Sequence, residues 1–364
     1  PPDGGQLDIT RNTCRISRAQ SGAHTGAMIM VSEAKGVIRH LRALLCYNIH
    51  TIPNAISKNK DDPMIRWLSV FCLLPLPALA DVPRVVTDIA PIHSLTALVM
   101  GDLGQPDLLL PPGADPHDFA LRPSDAGRLA DAELVIWVGV GLTPWLEEPL
   151  ETLAPDATRI SLLDTSGWDP LEAREKVEDD DHNHDHDHDH GDIDPHAWLD
   201  PTVAKAWVGA IAEALSDADP ENIATYRANA TTAIAELGAL QDEVAASLTG
   251  LEDRAYVLPH DGYQYFENRF GLTAQAAISG IDARTPGPAQ IATLRAQMAE
   301  NKVVCVFSDA EISDRWAQVL TEGTEANTVS IDGVGAGLEA GPHLYADTII
   351  RLGNAFVTCL GGDK

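Results

Sequence analysis

The sequence predicts an α/β protein of two Rossmann-like lobes joined by one long rigid helix. Two observations carry this. Short apolar, β-rich runs alternate with helical segments in each half of the chain, the pattern of a parallel sheet covered on both faces. Between the halves runs a single amphipathic stripe of about eight turns. At 364 residues the chain is long enough for two moderate domains.

In the first half, strand candidates are Arg84–Asp88, Leu108–Leu110, Leu134–Val138 and Thr158–Leu162. A helix starting near His93 places Leu95, Leu98 and Val99 on one face, and another follows the capping signal Pro123-Ser124-Asp125. The second half repeats the scheme. Strand candidates are Ala255–Leu258, Thr273–Ile278, Val303–Phe307 and Thr328–Ile331, with helical runs at Gly262–Phe270, Pro288–Asn301, Asp314–Glu322 and Leu344–Val357. The linking helix is expected over Pro220–Thr249, where Ile223, Tyr226, Ala230, Ile234, Leu237, Leu240, Val244 and Leu248 recur at steps of three and four. Asp219-Pro220 supplies a cap and a first-turn proline, and Gly250 a stop. The lobes are then residues 81–219 and 250–364, with the linker at 220–249.

Residues 64–80, MIRWLSVFCLLPLPALA, have the form of a secretory signal peptide: a basic start at Arg66, a short apolar core, and Ala78-Leu79-Ala80 for cleavage. The apolar run is too short to span a bilayer. A mature start near Asp81 and a location outside the cytoplasm follow as expectations. Residues 1–63 then stand upstream of a leader and are expected to be an extension of the reading frame or a mis-set start.

The formal net charge is −29. Nucleic-acid binding needs clustered Lys and Arg against phosphate, so this balance argues against it. It suits attraction of cations, and equally mere solubility. Beyond residue 80 only Cys305 and Cys359 remain, an even pair in an oxidising compartment. A disulfide is the natural reading, two separate buried thiols the other; the bridge would stabilise by roughly 4 kcal/mol in the chain-entropy picture.

Ten histidines lie beyond residue 80. Five of them, His182, His184, His186, His188 and His190, fall in the low-complexity tract Glu178–Asp192, EDDDHNHDHDHDHGD, which has too little apolar surface to fold and is expected to be a mobile loop. The other five are His93, His117, His196, His260 and His343. His117 lies in LLLPPGADPHDFALRPSD, His196 in DIDPHAWLDP and His260 in YVLPHDGYQYF. Each stands after a strand or before a helix, where ligands of open α/β sheets bind. Neutral imidazole is the commonest nitrogen ligand for transition metals. A site drawn from both halves would lie in the cleft between lobes. A lone histidine is more often structural, so spacing alone leaves ligation and a structural role balanced. His93 and His343 each stand alone before a helical run and are expected to be structural. The GVGAG run at 333–337 lacks a following Lys-Ser/Thr and reads as a turn.

Beyond residue 80 the chain resembles the periplasmic high-affinity zinc-binding proteins of zinc ABC transporters, in the cluster of metal-specific solute-binding proteins. The resemblance rests on PPGADPHDFALRPSD, ADAELVIWVG, DPHAWLDP, LPHDGYQYFENRFGL and VCVFSDAEI, and on a His/Asp-rich tract between the first two ligand motifs. It implies that His117, His196 and His260 bind Zn2+ as transported ligand. It also implies a Cys305–Cys359 pair, an Asp309 that orients a histidine, and a carboxylate from Asp332 as tentative fourth ligand, with water as the other choice. Some zinc members use a Glu directly before the first histidine; this chain has Pro116 there.

Manganese-binding relatives place a carboxylate where His260 stands, so an all-imidazole set favours zinc. The implied partners are the membrane permease and ATPase subunits of a zinc ABC importer, with no nucleic acid, and the chain is expected to be a monomer and not an enzyme. The tract is expected to gather zinc at low affinity; sensing of excess zinc, or no role, are its other readings. Three histidines and a water also build catalytic zinc. Against a zinc hydrolase, no motif places an acid or base near an open position. A surface adhesin is disfavoured because no lipid-attachment cysteine stands beside Ala80.

Overall fold

The computed structural model describes residues 82–174, 193–309 and 312–361. The expected leader, the upstream extension and the His/Asp tract lie outside the described residues.

Two four-stranded parallel sheets form, one from each half. The first comprises β1 (Val85–Thr87), β2 (Asp107–Leu108), β3 (Leu134–Trp137) and β4 (Thr158–Ser161), in the order β2-β1-β3-β4. The second comprises β5 (Tyr256–His260), β6 (Ala276–Ser279), β7 (Cys305–Ser308) and β8 (Asn327–Ser330), in the matching order β6-β5-β7-β8. The central strands β1, β3, β5 and β7 are buried throughout, because helices cover both faces. The edge strands β4 and β8 carry exposed residues.

Alternation along the strands sorts side chains between two layers. Val85, Leu134, Ile136, Tyr256, Leu258, Cys305 and Phe307 point into one cluster shared by both halves. Val86, Val135 and Trp137 face an outer cluster of the first lobe, under α2 (Pro123–Ala130) and α3 (Glu147–Leu153). Val257 and Val306 face an outer cluster of the second, under α7 (Pro288–Asn301) and α8 (Asp314–Thr321). The shared cluster is filled by α1 (Ala90–Met100), α4 (Pro201–Ala218), α5 (Ile223–Leu248) and α9 (Leu344–Leu360).

Helix α5 is the expected link, preceded by a 3-10 turn at Pro220–Asn222. Its buried stripe runs Tyr226, Ala230, Ala233, Leu237, Leu240, Val244 and Leu248. Ile234 is exposed, and Ala233 holds the place expected of it, since a step of three from Ala230 keeps the seam facing inward. A Cys305–Cys359 disulfide ties the start of β7 to the end of α9, with the Cα atoms 5.6 Å apart. Earlier in the second half, α6 (Gln264–Phe270) follows β5 after a short connection and ends at Gly271, whose φ of 69° is the left-handed cap that favours glycine.

Candidate metal centre

His260 is the last residue of β5, not the first residue beyond it. Its neighbour β7 ends at Ser308, so Asp309 emerges beside it. The two strands flank the point where the second sheet's order reverses, which is where such sheets bind ligands. His117 lies in the connection between β2 and α2. His196 precedes a 3-10 turn at Ala197–Leu199 that leads through Asp200, the N-cap, into α4.

These three histidines converge. Each offers one ligand nitrogen, and the three atoms lie within 4.8 Å of one another, the one such group of His, Cys, Asp or Glu among the described residues. The Nε2 atoms of His117 and His196 are 3.3 Å apart. Ring centroids are separated by 5.2 Å (His117–His196), 5.3 Å (His196–His260) and 6.4 Å (His117–His260). His196 and His260 are buried and His117 is partly exposed. Gly262 packs against the cluster; a Cβ there would stand 2.1 Å from His260 Nε2, so a side chain would force the ring to turn.

Two of the rings are held from behind by carboxylates. His196 Nδ1 lies 2.8 Å from Asp194 Oδ1, and His260 Nδ1 lies 2.8 Å from Asp309 Oδ2. A carboxylate on Nδ1 fixes the tautomer and turns Nε2 toward the centre of the group. Asp309 was expected from the sequence. Asp194 was not, although a local signal exists: His117 and His196 both close an Asp-Pro-His triplet. In each, the aspartate accepts the histidine's backbone N–H, at 2.8 Å for Asp115 and 2.9 Å for Asp194. Only Asp194 also reaches the ring.

Burial disfavours the charged form of two of these imidazoles, His117 and His196. Burial, reinforced by the neighbouring rings of His196 and His260, holds His117 well below the ordinary imidazole range. Burial lowers His196 too, against the opposing pull of Asp194. Burial raises Asp115, partly offset by the backbone donors of His117 and Asp118. Deprotonated ring nitrogens are what a transition metal requires.

The remaining candidates lie outside this three-histidine group. Asp332 is outside the three-histidine group; its Oδ1 accepts the N–H groups of Val334 at 3.0 Å and Gly335 at 2.7 Å, organising the glycine-rich turn. His93 is buried inside α1 with Nε2 3.0 Å from the Pro106 carbonyl, as a structural histidine should be. His343 occupies the N-cap position of α9. His182, His184, His186, His188 and His190 lie outside the described residues.

Residues 85–359 match the family described as "Zinc-uptake complex component A periplasmic". The chain is similar to the high-affinity zinc uptake system protein ZnuA of Paracoccus denitrificans (strain Pd 1222), with 41% identity over 309 residues, covering 79% of this chain and 95% of the relative. It is 34% identical to the protein of that name in Brucella abortus (strain 2308), over 76% of this chain and 91% of the relative. Its fold matches a crystal structure of ZnuA with a TM-score of 0.67 at 23% identity, covering 77% of this chain and 100% of the other. A family match over most of the chain, joined to close relatives aligned nearly end to end, shows that the chain belongs to the zinc-uptake complex component A periplasmic family.

Proposed function

We propose that the chain is an extracytoplasmic solute-binding protein that takes up Zn2+ as cargo and delivers it to the permease and ATPase subunits of a zinc ABC importer. One observation carries the reading: three imidazoles from distant parts of the chain meet with their ligand atoms within 4.8 Å. An all-nitrogen set of neutral rings suits zinc, while manganese favours harder oxygen ligands. Membership of a periplasmic zinc-uptake family, and relatives named for high-affinity zinc uptake, support zinc, the periplasm and transport in place of hydrolysis.

His117, His196 and His260 are the proposed ligands. Asp332 is proposed as the fourth, through Oδ2, which accepts only the long Gly337 N–H contact at 3.4 Å while Val334 and Gly335 occupy Oδ1; water is the competing choice. The tract histidines are proposed as a weak gathering site. Export through cleavage after Ala80 belongs to the same proposal.

Titration of residues 81–364 with zinc and with manganese, against a chromophoric chelator, tests the reading. One zinc per chain should bind tightly, ahead of any weaker zinc on the tract, and far more tightly than manganese. Equal affinity for the two ions would make this a manganese carrier. Turnover of an ester, peptide or phosphate substrate by the zinc-loaded protein would make it a hydrolase.

A further inference from the structure

The stretch that carries His196 precedes α4 of the first half, yet its hydrogen bonds reach into the second half. Trp198 Nε1 donates to the Gly333 carbonyl at 2.8 Å, and Tyr345 Oη donates to the Trp198 carbonyl at 2.8 Å. Asp200 caps α4 by accepting the Thr202 N–H at 2.7 Å. The same carboxylate is gripped by Arg269 of α6, Nε to Oδ1 and Nη2 to Oδ2, both at 2.7 Å. That is the paired, parallel geometry that gives an arginine–carboxylate contact its strength and its directionality.

The entry to this stretch is fastened as well. Asp194 donates its N–H to the Leu171 carbonyl at 2.9 Å, and the Leu171 N–H goes to Tyr265 Oη at 2.8 Å. Arg174 pairs with Asp261 at 3.1 Å and with Glu267. Tyr265, Glu267 and Arg269 all belong to α6, the helix that follows His260. His196 and His260 are therefore braced by one helix, and each has a carboxylate on Nδ1. His117 stands apart from this frame. Its loop is held by first-half partners: Asp115 on its backbone N–H, and Trp145 Nε1 on the Pro116 carbonyl at 2.7 Å. Among the described residues no carboxylate backs its ring.

We propose that Arg269 is a positioning residue for metal capture: through Asp200 it fastens the His196 stretch to the second lobe, so that His196 and His260 form a preassembled two-imidazole half-site and His117 engages last. The inference rests on the three histidines being the zinc ligands. A lysine at 269 keeps the charge but cannot grip both oxygens, so charge and geometry are separable.

The test is zinc titration, by chelator competition, of residues 81–364 carrying single and paired substitutions. His117→Ala should retain one-to-one binding, at least about tenfold tighter than His196→Ala or His260→Ala. Arg269→Ala should weaken zinc by about 10- to 100-fold, the range seen when outer supports of metal ligands are lost, with Arg269→Lys between it and the parent. The loss should persist in the His117→Ala background and vanish in the His196→Ala background. A purely structural arginine would lower affinity equally in both backgrounds, and that result overturns the inference. If His196→Ala binds too weakly to measure, long-range proton–nitrogen spectra of the metal-free protein replace it. Arg269→Ala should then shift the His196 ring signals and spare those of His117; unchanged His196 signals overturn the proposal. Unaltered affinity in all three histidine variants would instead remove the ligand assignment itself, a separate failure.

Discussion

Asp309, just beyond the end of β7, holds the His260 ring at the end of β5: its Oδ2 lies 2.8 Å from Nδ1, and its Oδ1 accepts the Ile312 N–H at 2.8 Å. The carboxylate is thus itself oriented before it orients the ring. Removing it frees the ring to rotate and to change tautomer. Asp309→Ala should weaken zinc by about 10- to 100-fold, and Asp309→Asn by less, since the carboxamide oxygen still accepts from Nδ1–H. Chelator competition on the two variants checks this; equal affinity to the parent would leave Asp309 without a role at the site.

His260→Ala should weaken the tightest zinc by orders of magnitude, whereas deleting Glu178–Asp192 should leave it in place. Imidazoles in a low-complexity tract bind metal only after the chain is ordered, which costs affinity. Calorimetric titration of both variants separates the two. If the deletion abolished the tightest site and His260→Ala spared it, the cargo would belong to the tract.

Burial lowers His117 and His196, so both are neutral in the folded protein at pH values where an unfolded chain would protonate them. For the metal-free protein this adds stability that is complete above about pH 6.5 and is lost as the pH falls below it. Zinc needs the same neutral rings. Its affinity should stay nearly flat through about pH 6.5 and drop steeply only at lower pH, where protons compete for the lowered rings. Chelator competition stepped through this range checks it; a decline already steep above neutrality would contradict lowered imidazoles.

Asp88, at the end of β1, is fully buried and accepts N–H groups from Val138 and Ile89, both at 2.8 Å. Burial pushes its carboxyl up to about 6, against those hydrogen bonds. A raised carboxyl stays protonated in the fold where the unfolded chain ionises. Its contribution is present at acid pH and is lost as the pH rises through about 6. Infrared titration of the carboxyl band should find one aspartic acid ionising near that pH, absent from Asp88→Asn.

The Cys305–Cys359 bridge closes a separation of 54 residues. Cys305→Ser with Cys359→Ser should cost roughly 4 kcal/mol in the chain-entropy account. The melting temperature should fall by on the order of 10 °C. Thermal melts of the oxidised protein and the double variant decide; coincident melts would show that the bridge restrains little.

Most of the architecture was legible because parallel strands buried on both faces are written as short apolar runs, and LVIW at 134–137 and CVFS at 305–308 are such runs. The helix α5 was legible from its period, except at Ile234, where one apolar residue too many hid which of two neighbours turns inward. The three histidines were legible as strand-end residues. Their supports were less so. Asp194 announces itself only through the repeated Asp-Pro-His triplet. Arg269 and Arg174 reach partners 69 and 87 residues away, a pairing that no local pattern encodes.

The interior common to both sheets has a mechanical corollary. Ser94 in the first helix donates to the Pro342 carbonyl and accepts the Tyr345 N–H, each at 3.0 Å, so the two halves are stitched behind the histidines as well as around them. Swinging them widely apart would tear open a continuous apolar mass and expose it to water, at about 25 cal/mol for every Å² uncovered. A carrier built this way resembles a vice more than a jaw. With His117 engaging last, as proposed, loading and unloading would need only small excursions of its loop, and the outline of the molecule in solution scattering should scarcely alter when the ion arrives.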